Sequence, residues 1–284
     1  MKAGMQRIAV LGGRGMLGSD LAGTCTQSGF DAHVFDLPDF DITNYAQLKQ
    51  VVNESNLIVN CAAYTDVEKA ESEEELAYRI NAEAVGRLGE LAKDSGAKVI
   101  HISTDFVFDG TKEGPYVETD VPNPINAYGR SKLAGEQLLT ETGCKCCIIR
   151  VQWTYGRGGK NFVMKLVETA REGKNLKVVY DQVGSPTATT EATSTICQVL
   201  KSDARFAGIF HYAALGCVSR YDMACFIFDK VGLDVDLQSC KTSDYKSAAA
   251  RPLNSRFDCG KMEELLAEPI KPWQGPLERF LEQL

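Results

Sequence analysis

Two side chains four residues apart, a tyrosine and a lysine, are the clearest candidates for chemistry in this 284-residue sequence. Tyr128 and Lys132 follow Asn126, where the sequence predicts the start of a helix. Side chains at positions i and i+4 lie one above the other on a helix face. Because a neighbouring ammonium favours the phenolate, the pair predicts a tyrosine with a lowered pKa that acts as an acid–base group. The spacing alone also fits a tyrosine packed on a lysine stem at a solvated surface.

A glycine-rich turn near the N-terminus predicts a dinucleotide site. Residues 7–11 read as an apolar strand, and Gly12, Gly15 and Gly18 follow it directly. In this context Gly12 permits a tight turn, Gly15 the close approach of a pyrophosphate, and Gly18 close packing of the next helix. The N-terminus of that helix offers free N–H groups to the phosphates. The spacing is G-x-x-G-x-x-G rather than G-x-G-x-x-G, so the turn alone also fits a loop without a ligand.

Two charged residues near the turn bear on the choice between NADH and NADPH. Asp36 ends the second predicted strand, Asp31 to Phe35. It follows Gly18 at close to the ~20 residues expected of an acid that binds the adenosine ribose. A carboxylate there favours NADH because it repels a 2′-phosphate, whereas Arg14 could hold that phosphate. The sequence leaves this preference open.

Strands and helices alternate through the first half of the chain. This pattern predicts a Rossmann-type doubly wound α/β fold, with a parallel sheet and helices on both faces. A third strand is predicted over 57–63 and a fourth over 98–102. Ligands of such sheets bind beyond the carboxyl ends of the strands. The residues predicted to face one crevice there are Gly12, Ala62, Ala63, Ser103 and Thr104.

Helix caps and the later elements predict how the chain is divided. Thr43 or Asp41 is the predicted cap of a helix through Val52, and a long helix is predicted over 73–94, closing at Gly96. Later strands are predicted over 146–151, 176–180 and 208–213, and later helices over 161–172 and 188–201. The predicted dinucleotide-binding domain spans 1–151, and 188–215 returns to it. A smaller substrate-binding lobe is predicted over 152–187 and 216–284.

Composition excludes several classes of protein. The net charge of −7 argues against nucleic-acid binding, which needs clustered Lys and Arg. No apolar run approaches the ~18 residues of a membrane span, and residues 1–7 lack the apolar core of a secretory signal. We therefore expect a cytoplasmic protein. Ten cysteines are present, but no second C-x-x-C or nearby histidine completes a zinc site with Cys144 and Cys147. No metal is predicted.

Several short segments, spread from residue 7 to at least residue 258, match the motifs of one family in order. They are residues 12–18, Asn60 to Thr65, Glu68 to Glu71, Ser103 to Gly110, Tyr128 to Lys132, Asp181 to Thr187 and Arg251 to Ser255. Together they resemble the extended short-chain dehydrogenase/reductase family, and within it the dTDP-4-dehydrorhamnose reductase branch. Motifs matched in order along the chain are far more specific than any one of them.

The resemblance implies reduction of a 4-keto group on a nucleotide-linked deoxysugar, with hydride from NADPH or NADH. It implies that Tyr128 protonates the developing alkoxide, that Lys132 lowers the phenol pKa and holds the nicotinamide ribose, and that Thr104 binds the carbonyl. Phe106 stands where sugar-nucleotide 4,6-dehydratases of this superfamily carry an acid. Because elimination of water needs that extra group, Phe106 favours simple reduction.

The resemblance also implies two sets of binding residues. The cofactor set is Gly12, Arg14, Gly15, Met16, Leu17, Gly18, Asp36, Asp41, Ile42, Ala62, Ala63, Tyr64, Asn81, Ser103, Tyr128 and Lys132. The substrate set is Thr104, Phe106, Trp153, Arg251 and Asn254, with Trp153 flanking the sugar or stacking near the base. Gln152, Asp66 and Arg220 depart from the residue types usual in the family. These departures leave the sugar and the base open.

Other functions stay open at this point. One is the reduction of another nucleotide-linked 4-keto-deoxysugar. A second is a non-catalytic NAD(P)-binding regulatory subunit resembling the methionine adenosyltransferase beta subunit, and a third is an NAD(P)-sensing regulator. The set of Thr104, Tyr128 and Lys132 favours catalysis, since a binding module needs no proton donor. The expected partners are a nucleotide-sugar substrate, no nucleic acid and no membrane, in a monomer or homodimer.

Overall fold

Strands and helices alternate from residue 7 to residue 151, as the sequence predicts. The structure, a computed structural model, describes residues 6–202 and 206–284. A π-helical turn at 79–83 separates two of the helices. The elements of this part are β1 (Arg7–Leu11), α1 (Met16–Gln27), β2 (Asp31–Phe35), α2 (Tyr45–Asn53), β3 (Leu57–Asn60), α3 (Val67–Ala70), α4 (Glu74–Tyr78), α5 (Ala84–Ser95), β4 (Lys98–Thr104), α6 (Ala127–Glu141) and β5 (Cys146–Val151).

The remaining chain forms shorter strands between five helices. The elements of this part are β6 (Thr154–Tyr155), α7 (Phe162–Arg171), β7 (Leu176–Val179), β8 (Val183–Gly184), β9 (Thr187–Ala188), α8 (Thr189–Lys201), β10 (Gly208–Tyr212), β11 (Val218–Ser219), α9 (Arg220–Val231), β12 (Leu237–Cys240), α10 (Gly260–Glu263) and α11 (Gln274–Leu281).

The main sheet has six strands in the order β10-β5-β4-β3-β1-β2. Every pair of neighbours in it is parallel. The chain leaves β1 toward β2 on one side and returns to β3 on the other. Such a reversal opens a ligand crevice at the carboxyl ends of the strands on either side of it. The prediction of a Rossmann-type doubly wound sheet is confirmed, and the crevice lies beyond β1 and β3.

Both faces of this sheet are covered, which explains why its strands are continuous apolar runs. Successive side chains of a strand point to opposite faces. In β1, Ile8 and Val10 therefore pack into one cluster with Leu21 of α1 and Ile196 of α8, and Ala9 and Leu11 pack into another with residues of α2 and α5. The alternation fixes which face of the sheet each helix covers.

A third apolar cluster lies outside the main sheet. It joins α7, α9 and α11 through buried residues such as Leu166, Ile227 and Leu277. By contrast, α8 packs on α1, where the sulfurs of Cys25 and Cys197 are 3.5 Å apart. Together with β10 in the sheet, this supports the division into 1–151 with 188–215 and 152–187 with 216–284, which we keep as a proposal. Met262 and Ile270 are exceptions, because they lie in 216–284 but pack into a cluster of the main sheet.

Several predicted boundaries are wrong. The third strand, predicted over 57–63, ends at Asn60. The cap of α2 is Asn44, whose side chain accepts bonds from the N–H groups of Ala46 and Gln47. Asp41 instead accepts from the N–H of Thr43 in the preceding turn. The single helix predicted over 73–94 is broken by the π-helical turn. Its predicted end holds, since Gly96 follows α5 with φ of +76°.

A buried ion pair attaches α6 to the sheet. Glu136 and Arg150 have side chains that are 3% and 1% exposed, and Arg150 Nη2 lies 2.6 Å from Glu136 Oε2. Arg150 Nε also donates to Glu136 Oε1 at 2.9 Å, and the Ser103 hydroxyl donates to the same oxygen. Because Glu136 is one turn beyond Lys132, this contact fixes the face of α6 that carries the candidate catalytic residues.

Within residues 6–202 and 206–284, no helix is long and apolar enough to cross a membrane.

Candidate active site

A cavity of about 650 Å³ lies at the carboxyl ends of the main-sheet strands. Its walls come from the glycine turn, the ends of β2, β3 and β4, the start of α6 and the segment after β5. The sequence-predicted residues that line it are Gly12, Gly15, Met16, Leu17, Gly18, Asp36, Asp41, Ile42, Ala62, Ala63, Ser103, Thr104, Phe106, Tyr128, Lys132 and Trp153. The topology therefore gathers sixteen positions from distant parts of the sequence around one space.

The glycine turn has the shape that a dinucleotide needs. Gly12 has φ of +72°, and a Cβ there would lie 2.5 Å from the backbone nitrogen of Ala62. A Cβ at Gly18 would overlap the carbonyl oxygen of Gly12. The first turn of α1 receives no side-chain cap from Gly15, so its N–H groups point to the cavity as an anion site. These features fit the pyrophosphate of a nicotinamide dinucleotide.

Asp36 and Arg14 differ in their relation to the cavity. The carboxylate of Asp36 lines it and accepts bonds from the backbone N–H groups of Arg14 at 2.8 Å and Leu37 at 2.8 Å. The guanidinium of Arg14 is directed elsewhere, to the Leu37 carbonyl at 2.6 Å and to Asp39 at 2.7 Å. Arg14 does not line the cavity, so its predicted contact with a 2′-phosphate requires it to leave Asp39.

The start of α6 places Tyr128 at the cavity. Asn126 caps the helix by accepting a bond from the N–H of Gly129 at 2.7 Å, and its own amide donates to the Ala250 carbonyl. The ring of Phe106 packs edge-on against that of Tyr128, with centroids 5.6 Å apart. Tyr128 is thus held between the helix start and an apolar ring, with no acid at the Phe106 position.

Burial dominates the acidity of Tyr128. It raises the pKa of the phenol to about 12, with the Thr104 hydroxyl acting in the opposite direction and Asp105 in the same direction. The expectation of a lowered pKa is wrong, because burial outweighs the charge of Lys132, whose ammonium is directed to the Ile102 carbonyl. A phenol with a raised pKa stays protonated at neutral pH, which suits a group that gives up a proton only to a strong base.

Lys132 is 2% exposed and is anchored in the sheet. Its ammonium donates to the Ile102 carbonyl at 2.7 Å and lies 3.2 Å from Nε2 of His101. Burial lowers the pKa of Lys132 to about 8, while Glu136 and Cys61 act to raise it. Burial also lowers the pKa of His101 well below its usual value, so the imidazole stays neutral beside the ammonium.

Thr104 is the last residue of β4 and lies in the cavity wall with Tyr128. Its hydroxyl donates to Asp105 Oδ1 at 3.1 Å and accepts from the N–H of Phe106 at 3.2 Å. The residue is 6% exposed and lines the cavity. To bind a ligand carbonyl oxygen beside Tyr128, this hydroxyl has to turn its one proton from Asp105 to that oxygen.

Three predicted cofactor residues do not line the cavity, namely Arg14, Tyr64 and Asn81. The side chain of Asn81 is fully buried in the π-helical turn, and its polar groups form hydrogen bonds within the protein. It bonds the backbone N–H of Tyr64 at 2.8 Å, the carbonyl of Tyr64 at 3.0 Å and the Ser131 hydroxyl at 2.9 Å. Asn81 thus positions Tyr64 and α6, and its contact with the cofactor stays a prediction. The hydroxyl of Tyr64 itself donates to Glu73.

Two predicted substrate residues also lie outside the cavity. Arg251 forms an ion pair with Glu68, at 2.5 Å. The amide of Asn254 donates to the carbonyls of Lys112 at 2.6 Å and Gly114 at 2.8 Å. These contacts give Asn254 a role in fixing the 112–114 loop, and its contact with the substrate stays a prediction. Arg251 stays a prediction that requires the Glu68 pair to open.

Several parts of the cavity wall were not among the predicted site residues, and three of them bear on the chemistry of the site. They are Asp105, Arg220 and the segment 158–161, which packs on Met16. Asp105 could have been found, because it follows Thr104 at the end of a strand. The glycine-rich segment after Trp153 was a weaker signal. Nothing in the spacing of Arg220 places it near β4, since this contact depends on how the chain returns from the C-terminal part.

In the part of the chain that the structure describes, no group of three or more His, Cys, Asp or Glu side chains is placed to hold a metal ion.

The doubly wound sheet and the glycine turn, with Thr104, Tyr128 and Lys132 at the same cavity, are the features of an extended short-chain dehydrogenase/reductase. The family model described as RmlD substrate binding domain matches residues 5–284. The chain belongs to the dTDP-4-dehydrorhamnose reductase family. The motifs quoted from the sequence predict this family, and the prediction is confirmed.

Relatives named dTDP-4-dehydrorhamnose reductase match along nearly their whole length. The one from Aggregatibacter actinomycetemcomitans is 37% identical over 289 residues, covering 97% of this chain and 98% of its own. That from Escherichia coli (strain K12) is 36% identical over 292 residues, covering 98% and 97%. The crystal structure of the Bacillus anthracis dTDP-4-dehydrorhamnose reductase in complex with NADP has a TM-score of 0.94, with 35% identity over 99% of this chain and 100% of that one.

Proposed function

We propose that this protein reduces the 4-keto group of dTDP-4-dehydrorhamnose to dTDP-L-rhamnose, with NADPH or NADH as the reductant and Tyr128 as the proton donor. One observation carries the proposal: Thr104, Tyr128 and Lys132 line the same cavity as the glycine turn. The full-length match to relatives named for this reaction supports the choice of substrate.

The residues divide the work of reduction between them. A bound nicotinamide cofactor supplies the hydride. The Thr104 hydroxyl binds the carbonyl oxygen, and Tyr128 donates its phenolic proton to that oxygen as negative charge develops on it. General acid catalysis of this kind contributes roughly 10²–10⁴ in rate. Phe106 leaves no second acid beside Tyr128, so the site supports reduction rather than the loss of water.

Lys132 has two roles in this proposal. Its ammonium, fixed by the Ile102 carbonyl, holds the ribose hydroxyls of the cofactor. Its charge also favours the phenolate that remains after Tyr128 has given up its proton. Because the ammonium is nearly buried, little water competes for either contact.

The proposal is tested with purified protein and dTDP-4-dehydrorhamnose, by following the absorbance of NADPH and of NADH in separate assays. We expect oxidation of at least one cofactor and formation of one equivalent of dTDP-rhamnose. The ratio of the two kcat/KM values gives the preference that Asp36 and Arg14 leave open. Tight binding of both cofactors without oxidation of either would refute the proposal and favour a non-catalytic binding subunit.

Replacing Thr104 with valine is expected to lower kcat by on the order of 10²-fold, as for the loss of one donor to a developing oxyanion. Valine keeps the volume but cannot bind the carbonyl, and it also removes a bond to Asp105. Thr104→Ser is the matched control, because it keeps the hydroxyl. Both variants are compared with the wild type in steady-state assays, and equal losses in the two would contradict a role for the hydroxyl.

A further inference from the structure

Arg220 brings a positive charge to the cavity that the proposed mechanism does not use. It is the first residue of α9 and lines the cavity with Thr104 and Tyr128. Its guanidinium carbon lies 3.5 Å from the ring centroid of Trp153 and 4.7 Å from that of Phe162. Among the residues that the structure describes, this guanidinium makes no hydrogen bond or ion pair. Two aromatic rings therefore hold it, and its N–H groups remain available to a ligand.

Asp105 offers an unused acceptor to the same cavity. The residue is 3% exposed, and its Oδ1 accepts a bond from the Thr104 hydroxyl at 3.1 Å. Its Oδ2 is buried and accepts no hydrogen bond of good geometry from a described residue. Burial raises the pKa of Asp105, although the nearby Ser255 hydroxyl acts to lower it. Buried carboxylate oxygens are rarely left unpaired, since each costs the desolvation of a charged group. Because Asp105 lines the cavity, a ligand hydroxyl that reaches Oδ2 would complete this contact.

The two charges face one another without forming an ion pair. No nitrogen of Arg220 lies within 4.0 Å of an oxygen of Asp105. They still interact: burial lowers the pKa of Arg220 to about 9, with Asp105 acting in the opposite direction and Arg251 in the same one. A hydroxyl fits between them because it accepts one bond and donates another. A phosphate does not fit, because it would meet the carboxylate of Asp105.

We infer that Arg220 is a specificity-determining residue that, together with Asp105, holds the sugar hydroxyl next to the reacting carbonyl. The inference rests on the proposed function, because Asp105 adjoins Thr104, which binds that carbonyl. Trp153 is then the platform for Arg220. It has φ of +45°, the one positive φ among the described non-glycine residues, and packs against Gly184. Because the guanidinium of Arg220 covers a face of the Trp153 indole, the nucleotide base cannot stack on that face. We therefore infer that Trp153 supports Arg220 instead of stacking near the base.

The test compares Arg220→Gln with the wild type on two substrates. One is dTDP-4-dehydrorhamnose, and the other is its analogue without the hydroxyl next to the ketone. On the full substrate we expect kcat/KM to fall roughly 10–100-fold, mainly through KM, as for a lost hydrogen bond to a charged group. On the deoxy analogue we expect the variant and the wild type to differ by less than about threefold, since the bond is absent in both.

The controls separate specificity from folding. Arg279→Gln removes an exposed arginine that pairs with Glu191 at 2.9 Å on the surface, and should leave both substrates unaffected. Cofactor affinity should be unchanged in Arg220→Gln. Arg220→Lys keeps the charge but not the flat stacked group, so we expect it to lose activity on the full substrate as well.

Three results would count against the inference. A kcat/KM of Arg220→Gln within twofold of the wild type would overturn it, as would equal losses on the two substrates. Full activity of Arg220→Lys would overturn the stacked geometry. A wild type that oxidises neither cofactor would instead refute the proposed function, and the inference with it.

Discussion

Replacing Tyr128 with phenylalanine is expected to lower kcat for reduction by roughly 10²–10⁴-fold. The change removes one oxygen and leaves the ring that packs against Phe106. The carbonyl would then take its proton from water, in a site where the tyrosine is half-buried. The measurement is the steady-state oxidation of NADPH and NADH at saturating substrate. Binding of each cofactor, followed by fluorescence titration, should change little.

Tyr78→Phe is the matched control, because Tyr78 lies on the surface and is 42% exposed. It removes the same atom away from the cavity and should leave kcat unchanged. Near-normal turnover of Tyr128→Phe would contradict the acid role. A large loss of cofactor binding in the same variant would point to a structural role instead.

The raised pKa of Tyr128 gives this prediction a pH dependence. With a pKa of about 12, the phenol is protonated, and thus able to donate, at every pH well below that value. The rate of reduction by the wild type should therefore not depend on the titration of Tyr128 at any pH well below 12. The reverse oxidation needs the phenolate, so its rate should rise with pH over the same range. A reduction rate that rises with pH would contradict the donor role.

The shared cavity follows from sequence because parallel strands bring their carboxyl ends to one edge of a sheet. Thr104 ends β4 and the glycine turn follows β1, so their meeting needs only the alternation of strands and helices. The strands at 7–11, 31–35 and 146–151 have the predicted bounds, because each is an apolar run between turns. This level of the fold depends on local pattern and topology.

The sequence does not predict which of several possible partners a side chain contacts in the folded protein. Lys132 is four residues from Tyr128, but its ammonium bonds the Ile102 carbonyl, and burial then decides the pKa of the phenol. The amide of Asn81 was available to a cofactor or to the protein, and the chain itself takes it. Arg220 is next to Trp153 only because α9 returns to the end of β5. Spacing along the chain does not determine such choices.

Replacing Glu136 with glutamine is expected to cost about 3–5 kcal/mol of the free energy of unfolding, because it leaves Arg150 as an unpaired charge in the interior. Both side chains are almost fully buried, so solvent screens the pair little. The measurement is urea unfolding of the variant and the wild type, compared at equal protein concentration. The loss should be visible as a lower midpoint with an unchanged slope.

Glu74→Gln is the control for this change. Glu74 of α4 pairs with Arg130 of α6, the helix that also carries Glu136, but their side chains are 58% and 47% exposed. Exposed pairs contribute only ~0–1 kcal/mol, so this variant should be nearly as stable as the wild type. The double variant Glu136→Gln with Arg150→Met should recover part of the loss, since it removes the unpaired charge. If the double variant loses more free energy of unfolding than the two single variants do together, the Glu136–Arg150 pair is not the source of the lost stability.

The Glu136→Gln variant also tests the charge of Lys132 in the active site. Glu136 acts to raise the pKa of Lys132, which burial lowers to about 8. Loss of that negative charge should lower the pKa of Lys132 further, so that the lysine loses its proton nearer to neutral pH. In protein that remains folded, the basic limb of the kcat profile should then move to lower pH. An unchanged profile would show that Glu136 supports the position of α6 and not the charge of Lys132.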